Sequence, residues 1–105
     1  MEILTQTLDK EQATKLEKAA FVLKTVANPL RLSIIYLLQD REHITVTEIC
    51  AILDAEQSLI SHHLLSMREK GILNSTKEGR KVLYSLKFRD VVKVIECLDN
   101  CEMDI

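Results

Sequence analysis

Glycine and proline are scarce in this sequence, which has two glycines and one proline among 105 residues. Folds built from many tight turns, such as β-sandwiches and β-barrels, use more of both residues, so their scarcity favours a helix-rich fold. No apolar run approaches the ~20 residues of a membrane-spanning helix, and no signal segment is visible at the N-terminus. We therefore expect one globular domain over residues 1–105 that has no membrane partner.

Residue patterns that support catalysis are also missing. The sequence has no nucleophile–base pattern and no glycine-rich loop for phosphate. A chain of this length leaves little room for a deep pocket, so we do not expect an enzyme. Three cysteines, Cys50, Cys97 and Cys101, occur without an export signal. This usage is typical of reduced thiols and predicts a cytoplasmic location.

Apolar residues at helical spacing predict two helices in the first part of the chain. A helix over residues 9–26 places Leu16 and Leu23 on one apolar stripe. The Asn28-Pro29 step ends this helix, because the residue before a proline is pushed out of the α region. Proline suits the first turn of a helix, so a second helix is predicted to follow directly.

The third and fourth predicted helices form a helix-turn-helix. Thr45 and Glu48 have the spacing of a capping box, in which each side chain binds a free backbone N–H at the start of the third helix. The fourth helix covers residues 56–70, and Gly71 is suited to the position after its end. The apolar residues predicted to face the core are Leu32, Ile35, Tyr36 and Leu38 in the second helix, Ile49, Ile52 and Leu53 in the third, and Leu59, Ile60, Leu64 and Met67 in the fourth.

The rest of the chain predicts a β-hairpin and a final helix. Strands over residues 72–76 and 82–86 surround a short turn at Glu78-Gly79. The last helix covers residues 89–102 and has an apolar face. The expected fold class is mainly α with a small β-hairpin wing, in the order α-α-α-α-β-β-α. The first and last helices have apolar faces that a small core does not fully cover, and a second copy of the chain would cover them.

The helix-turn-helix and the hairpin together predict a DNA-binding surface, because the helix can enter the major groove while the hairpin holds the neighbouring backbone. Glutamine, serine and histidine side chains can hydrogen-bond base edges or phosphates. Clustered cations in the hairpin need an anionic partner. The predicted contacts are Gln57, Ser58, Ser61 and His62 on the fourth helix, and Arg68, Lys77, Arg80 and Lys81 in or beside the hairpin.

The net charge of −2 argues against a nucleic-acid partner, but its distribution does not. Residues 57–81 contain five basic and two acidic side chains, whereas residues 88–105 contain two basic and five acidic side chains. A dimer would double the basic patch available to phosphates. An ordinary solvated surface is the alternative interpretation of these charges and of the polar helix face.

Several short motifs within residues 16–101 resemble those of one repressor family. They are VANPLRL at residues 26–32, TEI at 47–49, SHHL at 61–64, MREKGIL at 67–73 and EGR at 78–80, followed by Tyr84. Together they resemble the ArsR/SmtB family of winged helix-turn-helix repressors. The resemblance implies a homodimer, joined by its first and last helices, that binds an inverted repeat in double-stranded DNA and is released by an effector. It also implies a role for His63, either within the DNA-binding surface or as a structural bridge between helices.

One departure lies between the two helices of the helix-turn-helix. The family usually has Gly-Leu-Ser there, with serine as the N-cap, and this chain has Asp54-Ala55-Glu56. Glutamate is a weaker cap than serine, and its carboxylate would lie near DNA phosphate. We therefore expect a lower affinity for DNA or a shifted fourth helix.

The metal sites of the family are poorly matched. In the third helix Cys50 stands at the first position of a Cys-x-Cys pair, but Ile52 stands at the second, and one thiolate cannot hold a soft metal alone. At the site shared by the last helices, Phe88 replaces an aspartate of the family. We expect no cofactor. The alternative is a metal ion at the weak candidate ligands Asp90, Cys101 and Asp104.

Cys97 and Cys101 are four residues apart, which places them on one side of the predicted last helix. In an antiparallel pair of these helices across a dimer axis, four thiols would approach one another. They could then bind a thiophilic ion or form a disulfide between chains, whereas a disulfide within the helix would be strained. The candidate effector thiols are Cys97, Cys101 and Cys50, with inert, packed cysteines as the alternative.

Two other functions compete with an inducible repressor. A winged helix used for docking to proteins would bind its partner with little dependence on salt, whereas DNA binding weakens steeply as salt rises. A repressor that has lost its inducer would act constitutively.

Overall fold

The computed structural model describes residues 9–102. The helices are α1 (Lys10–Val26), α2 (Pro29–Gln39), α3 (Val46–Leu53), α4 (Gln57–Glu69) and α5 (Val91–Asp99), and the strands are β1 (Ile44–Thr45), β2 (Leu73–Glu78) and β3 (Lys81–Leu86). This order confirms the predicted fold, which is mainly α with a small hairpin wing. The short strand β1 was not predicted.

The break between α1 and α2 follows from Asn28 and Pro29. Pro29 occupies the first turn of α2, where its missing N–H leaves no partner unsatisfied. The Asn28 side chain accepts hydrogen bonds from the backbone N–H groups of Leu30 at 2.9 Å and Arg31 at 3.1 Å. Asparagine is a favourable N-cap, so the chain starts a new helix immediately after ending the previous one.

The helix-turn-helix is formed by α3 and α4. The capping box is confirmed: Thr45 Oγ1 accepts from the Glu48 N–H at 3.1 Å, and Glu48 Oε1 accepts from the Thr45 N–H at 3.2 Å. Asp54 ends α3 in the left-handed region at φ 50°, which is unusual for a residue with a side chain. Gly71 follows α4 at φ +84°, as its predicted role at the helix end requires.

The sheet is antiparallel with the strand order β1-β3-β2. Glu78 pairs with Lys81, so the wing turn consists of Gly79 and Arg80. Gly79 adopts φ +64°, which suits the first central position of a tight two-residue hairpin turn. The strands of the wing extend further towards this turn than predicted, while the pair of Ile44 with Tyr84 adds β1 to the sheet at the edge of β3.

The core lies between α2, α3, α4 and the sheet. Three residues predicted to be inside are exposed instead: Tyr36 by 55%, Ile52 by 47% and Leu59 by 45%. The inward face of α2 consists of Ile34, Ile35 and Leu38, and Tyr36 falls on the opposite side of a helix with 3.6 residues per turn. The largest fully buried side chains are Ile34, Ile35, Leu38, Ile44, Ile49, Ile60, Leu64, Met67, Ile72, Leu73 and Val91.

The two terminal helices leave apolar side chains uncovered. A groove of about 810 Å³ separates α1 from α5, and both of its walls are mainly apolar. α5 ends at Asp99, three residues before the predicted end, so Cys101 lies just beyond the helix. The exposed apolar residues of this region, called here the terminal-helix face, are Leu16, Phe21, Leu23, Phe88, Val94 and Leu98.

Within residues 9–102, no single helix is both long enough and apolar enough to cross a membrane. Only α1 and α2 together reach that length and composition, and they are bent by 98° at the Asn28-Pro29 break.

Candidate nucleic-acid interface

The outer face of α4 is polar where the sequence predicted it. Gln57, Ser58 and His62 are exposed and Ser61 is half-buried. The opposite side of the same helix contributes Ile60, Leu64 and Met67 to the core, so packing fixes which face points outward. The outer face presents amide, hydroxyl and imidazole groups, which can donate to or accept from base edges.

Leu65 also lies on the outer face, and sequence reasoning missed it. Its side chain is 42% exposed, and helical spacing places it between Ser61 and His62 in projection. An apolar side chain at this position can contact the methyl group of thymine. The predicted inward pattern of α4 gave no signal for Leu65, because an isolated leucine on a polar face is usually only solvated.

The wing turn and α4 converge on one cleft. Gln57 at the start of α4 and Arg80 and Lys81 of the wing line a cleft of about 480 Å³. The N-terminal end of α3 forms the rest of the wall, where Thr47 adds a hydroxyl group that sequence reasoning had not selected. The Thr45 hydroxyl also lines the cleft, but it already donates to Glu48 Oε1 at 2.9 Å. The cleft therefore combines the N-terminal end of α4, the Thr47 hydroxyl and two cations, which are features that bind phosphate oxygens.

The wing cations have no acidic partner within the described chain. Lys77, Arg80 and Lys81 are exposed. The ion pairs among residues 9–102 are Lys15 with Glu11 and Lys93 with Asp90, and both lie outside the wing. The positive charge of the wing is therefore available to an anionic partner.

Glu48 is the acidic group of the cleft. Hydrogen bonds from the hydroxyl and the backbone N–H of Thr45 lower the pKa of this carboxyl, and the positive charges of Arg41 and Lys81 lower it further. Glu48 is therefore ionised and opposes phosphate in the cleft, although Lys81 offsets part of its charge.

Arg68 reaches the wing rather than open solvent. Its Nη1 donates to Ser75 Oγ at 3.1 Å, which joins the end of α4 to strand β2. The other guanidinium N–H groups are left for a further partner, because the residue is exposed. The predicted contact of Arg68 with the DNA backbone stays a prediction. The hydrogen bond of Arg68 to Ser75 in the wing was not predicted from the sequence.

His63 does not lie on the outer face, contrary to the expectation that places it within the DNA-binding surface. The side chain is 9% exposed, and Nδ1 accepts a hydrogen bond from Arg31 Nε at 2.9 Å. Burial, followed by the positive charge of Arg31 and the neighbouring His62, lowers the pKa of His63. A buried, neutral ring that bridges α4 to α2 matches the structural role that was the alternative for this residue.

The N-terminus of α4 lacks the usual cap. Glu56 occupies the N-cap position and forms no side-chain hydrogen bond there. A serine would satisfy one of the free N–H groups of the first turn. Asp54 and Glu56 also place two exposed carboxylates in the turn between α3 and α4. The departure noted in the sequence therefore has a visible local effect at the start of the helix.

The candidate effector residues lie around α5 and α3. Cys97 and Cys101 are exposed, and Cys50 is half-buried. Asp90 precedes α5 and Cys101 follows it, so roughly 16 Å of helix separates them and they cannot bind one ion within a protomer. Asp104 lies outside the described residues. No cluster of three metal-binding side chains occurs within residues 9–102, and the donors that are described do not fit a resident metal in one protomer.

Comparison with known proteins identifies similar regulators. A sequence profile described as "Bacterial regulatory protein, arsR family" matches residues 28–75. The transcriptional activator HlyU of Vibrio cholerae is 38% identical over 89% of this chain and 82% of its own length. The transcriptional repressor PagR of Bacillus anthracis is 37% identical over 86% of this chain and 90% of its own.

Solved structures of the same two proteins have a similar fold. Reduced HlyU from Vibrio cholerae superposes with a TM-score of 0.78 at 35% identity, covering 89% of this chain and 99% of the HlyU chain. The crystal structure of PagR from Bacillus anthracis superposes with a TM-score of 0.72 at 37% identity, covering 82% and 98%. The similarity therefore extends over nearly the whole of each compared chain.

Proposed function

Since the chain belongs to the arsR family of bacterial regulatory proteins and is a DNA-binding transcription regulator, we propose that it works as a homodimeric repressor that reads an inverted-repeat operator. Helix α4 of each protomer enters the major groove, and each wing contacts the adjacent backbone.

One observation supports this mode of binding most directly. Gln57 at the start of α4 lines the same cleft as Arg80 and Lys81 of the wing. A duplex laid across this cleft would place a phosphate near the cations while the outer face of α4 meets the bases. Phosphate contacts fix the position of the helix and base contacts then supply sequence preference.

The terminal-helix face supports the homodimer. Phe21 and Leu23 on α1 and Val94 and Leu98 on α5 are each more than 40% exposed in the single protomer. Contiguous apolar surface of this kind is costly in water, and a two-fold axis lets the same surface cover itself in a second copy. The same axis would present two α4 helices to two half-sites of an inverted repeat.

A thiol-reactive effector is proposed to act at the end of α5. Cys97 lies in the last turn of α5 and Cys101 directly after Asn100, which ends the helix, and both thiols are exposed. They flank Leu98 of the terminal-helix face, so a change at these thiols would alter the surface that joins the protomers. Cys50 is half-buried beside the core and is the weaker candidate.

The first experiment measures fluorescence anisotropy of a labelled duplex from the region upstream of the gene, titrated with reduced protein. The Ser61→Ala, His62→Ala double variant should lose preference for that duplex over a scrambled one and should remain a dimer in analytical ultracentrifugation. The Ser33→Ala, His43→Ala variant, which removes the same chemical groups from α2 and the loop before β1, serves as the matched control. A double variant that keeps the wild-type preference would contradict the assignment of the outer face.

A further inference from the structure

Arg31 contacts two helices besides its own. It lies in the first turn of α2, and its Nη1 donates to the backbone carbonyl of Thr25 in the last turn of α1 at 2.7 Å. Its Nε donates to Nδ1 of His63 in the middle of α4 at 2.9 Å. One side chain therefore joins the end of α1 to the helix that carries the outer face.

The two bonds are set by the surroundings of each partner. Thr25 is buried, and its own hydroxyl donates to the Phe21 carbonyl at 2.7 Å, so the last turn of α1 is held in place. His63 is almost fully buried, and only a neutral ring offers Nδ1 as an acceptor. Since Arg31 carries a permanent positive charge and donors alone, it always takes the donor role in both bonds.

This bridge matters because α1 is otherwise weakly attached. α1 buries Ala13, Thr25 and Val26, while Phe21 and Leu23 face outward. The position of α1, and with it the terminal-helix face, relative to the rest of the protomer therefore depends mainly on the contacts at the end of α1. The guanidinium of Arg31 is a rigid, planar group that fixes both distance and direction between its two acceptors.

We propose that Arg31 is a positioning residue that sets the angle of α4 relative to α1, and thereby the spacing of the two α4 helices in the dimer. The inference rests on the proposed function, since it takes α4 as the groove-binding helix and α1 as part of the dimer contact. Two helices must meet half-sites about one DNA turn, roughly 34 Å, apart, so a small rotation at Arg31 moves them out of register.

The test uses full-length Arg31→Met and His63→Leu proteins, each of which removes one end of the Arg31–His63 bond, together with the double variant. A duplex selected by the wild-type protein from a random pool serves as the operator. We expect His63→Leu to bind it about tenfold more weakly, and Arg31→Met at least as weakly, because that variant also loses the bond to the Thr25 carbonyl. The double variant should be no weaker than Arg31→Met, because the bond that His63→Leu removes is already absent there. Affinity for a scrambled duplex and the dimer dissociation constant should not change.

His63→Asn is the conservative control, because its Oδ1 stands near the position of Nδ1 and can still accept from Arg31, and it should bind the operator nearly as well as the wild type. Operators with one base pair added or removed between the half-sites provide a second measurement, the relative affinity for different spacings. A variant that is merely less stable would bind all of these operators less well but would keep the same preference among them. The Arg31→Met protein should discriminate less among these spacings than the wild type. The ¹⁵N shifts of the His63 ring, measured without DNA, should report an acceptor Nδ1 that is lost in Arg31→Met.

The outcomes separate the inference from the function on which it rests. A wild-type protein that selects no duplex would overturn the DNA-binding mode and the inference with it. A wild-type protein that selects an operator, together with an Arg31→Met variant that binds it equally well and with the same spacing preference, would overturn the inference alone.

Discussion

Arg68 Nη1 donates a hydrogen bond to Ser75 Oγ at 3.1 Å, and this contact joins the end of α4 to the first strand of the wing. The two elements that meet DNA in the proposed complex are therefore connected directly, in addition to sharing the turn at Gly71. Because the wing turn at Gly79 and Arg80 lies at the far end of β2 from this turn, a contact midway along the strand limits how far the wing can swing.

Removing the Ser75 hydroxyl should loosen the wing. We expect Ser75→Ala to weaken operator binding about two- to threefold, since an exposed hydrogen bond contributes roughly 0.5 kcal/mol. Thr76→Ala, which removes a hydroxyl from the next residue of the same strand, is the matched control and should have no effect. If Arg68→Ala weakens binding while Ser75→Ala does not, Arg68 acts as a phosphate contact and the connection to the wing is unimportant.

Replacing both cations at the wing turn should change the salt dependence of binding. Each phosphate contact contributes about 0.9 to the slope of log K against log salt concentration. Arg80→Ala with Lys81→Ala removes up to four contacts per dimer, so the slope should fall by about 3 to 4. The measurement is anisotropy between about 50 and 200 mM salt, the range over which DNA affinity falls steeply, with Lys10→Ala on α1 as the control. An unchanged slope would favour a winged helix that docks to protein.

A serine at the start of α4 should stabilise the protein. Glu56 makes no cap hydrogen bond, so Glu56→Ser should raise the unfolding free energy by about 1 kcal/mol and the melting temperature by about 4–8 °C. Glu56→Ala separates the two effects of the change, because it removes the carboxylate without adding a cap. If both variants bind DNA more tightly but only the serine variant melts higher, charge controls affinity and capping controls stability. Equal melting temperatures for the two variants would contradict the capping argument.

The sequence predicted the elements better than the faces they bury. Caps and breaks depend on neighbouring residues, which explains why the capping box at Thr45 and the helix start at Pro29 were located correctly. The inward face of a short helix depends on what packs against it. Tyr36 and Ile52 were assigned to the core because they are apolar and near the right spacing, yet both are exposed once α2 and α3 meet their neighbours.

The residues of the candidate site also divide into those that local spacing predicts and those that depend on tertiary packing. Local spacing was sufficient to place Ser61 and His62 outward on α4. The bond between Arg31 and His63 spans 32 positions in the sequence, and no periodicity or composition signals such a pair. The cleft also depends on tertiary structure, because Thr47 and Arg80 line it together only when α3 and the wing have folded against each other. These residues are far apart in the sequence, and this separation is why their proximity could not be predicted from local patterns.

The exposed thiols of α5 should react before Cys50 does. With an aromatic disulfide reagent, two thiols per chain should react quickly and the half-buried Cys50 slowly, and Cys97→Ser with Cys101→Ser should remove the fast phase.

Hydrogen peroxide can take two electrons and two protons from a pair of thiols, forming a disulfide and two waters. If these thiols control DNA binding, peroxide should weaken it in the wild type but not in Cys101→Ser, and dithiothreitol should restore it. Oxidation with unchanged affinity would make them inert.

The lowered pKa of His63 should make stability depend on pH in a defined window. Burial and Arg31 keep the folded ring neutral, so the unfolded chain takes up a proton at a higher pH than the folded chain does. The stability contributed by His63 is therefore fully present above the ordinary histidine pKa of about 6.5, and it is lost as pH falls through the lower pKa of the folded state. One such group changes the unfolding free energy by at most about 1.4 kcal/mol per pH unit.

Urea unfolding between about pH 7.5 and 5.5, on either side of the ordinary histidine pKa, checks this expectation. The wild-type protein should lose stability as pH falls, and His63→Gln, which cannot be protonated, should lose less over the same interval. His62→Gln is the matched control, since it removes the adjacent, exposed ring and leaves the bond between Arg31 and His63 in place. Glu48 does not interfere, because its pKa is lowered and it stays ionised throughout this range. Parallel curves of unfolding free energy against pH for the wild type and His63→Gln would mean that the buried ring does not control the pH response. A difference that appears in His63→Gln but not in His62→Gln would assign the response to His63, the side chain that accepts the hydrogen bond from Arg31.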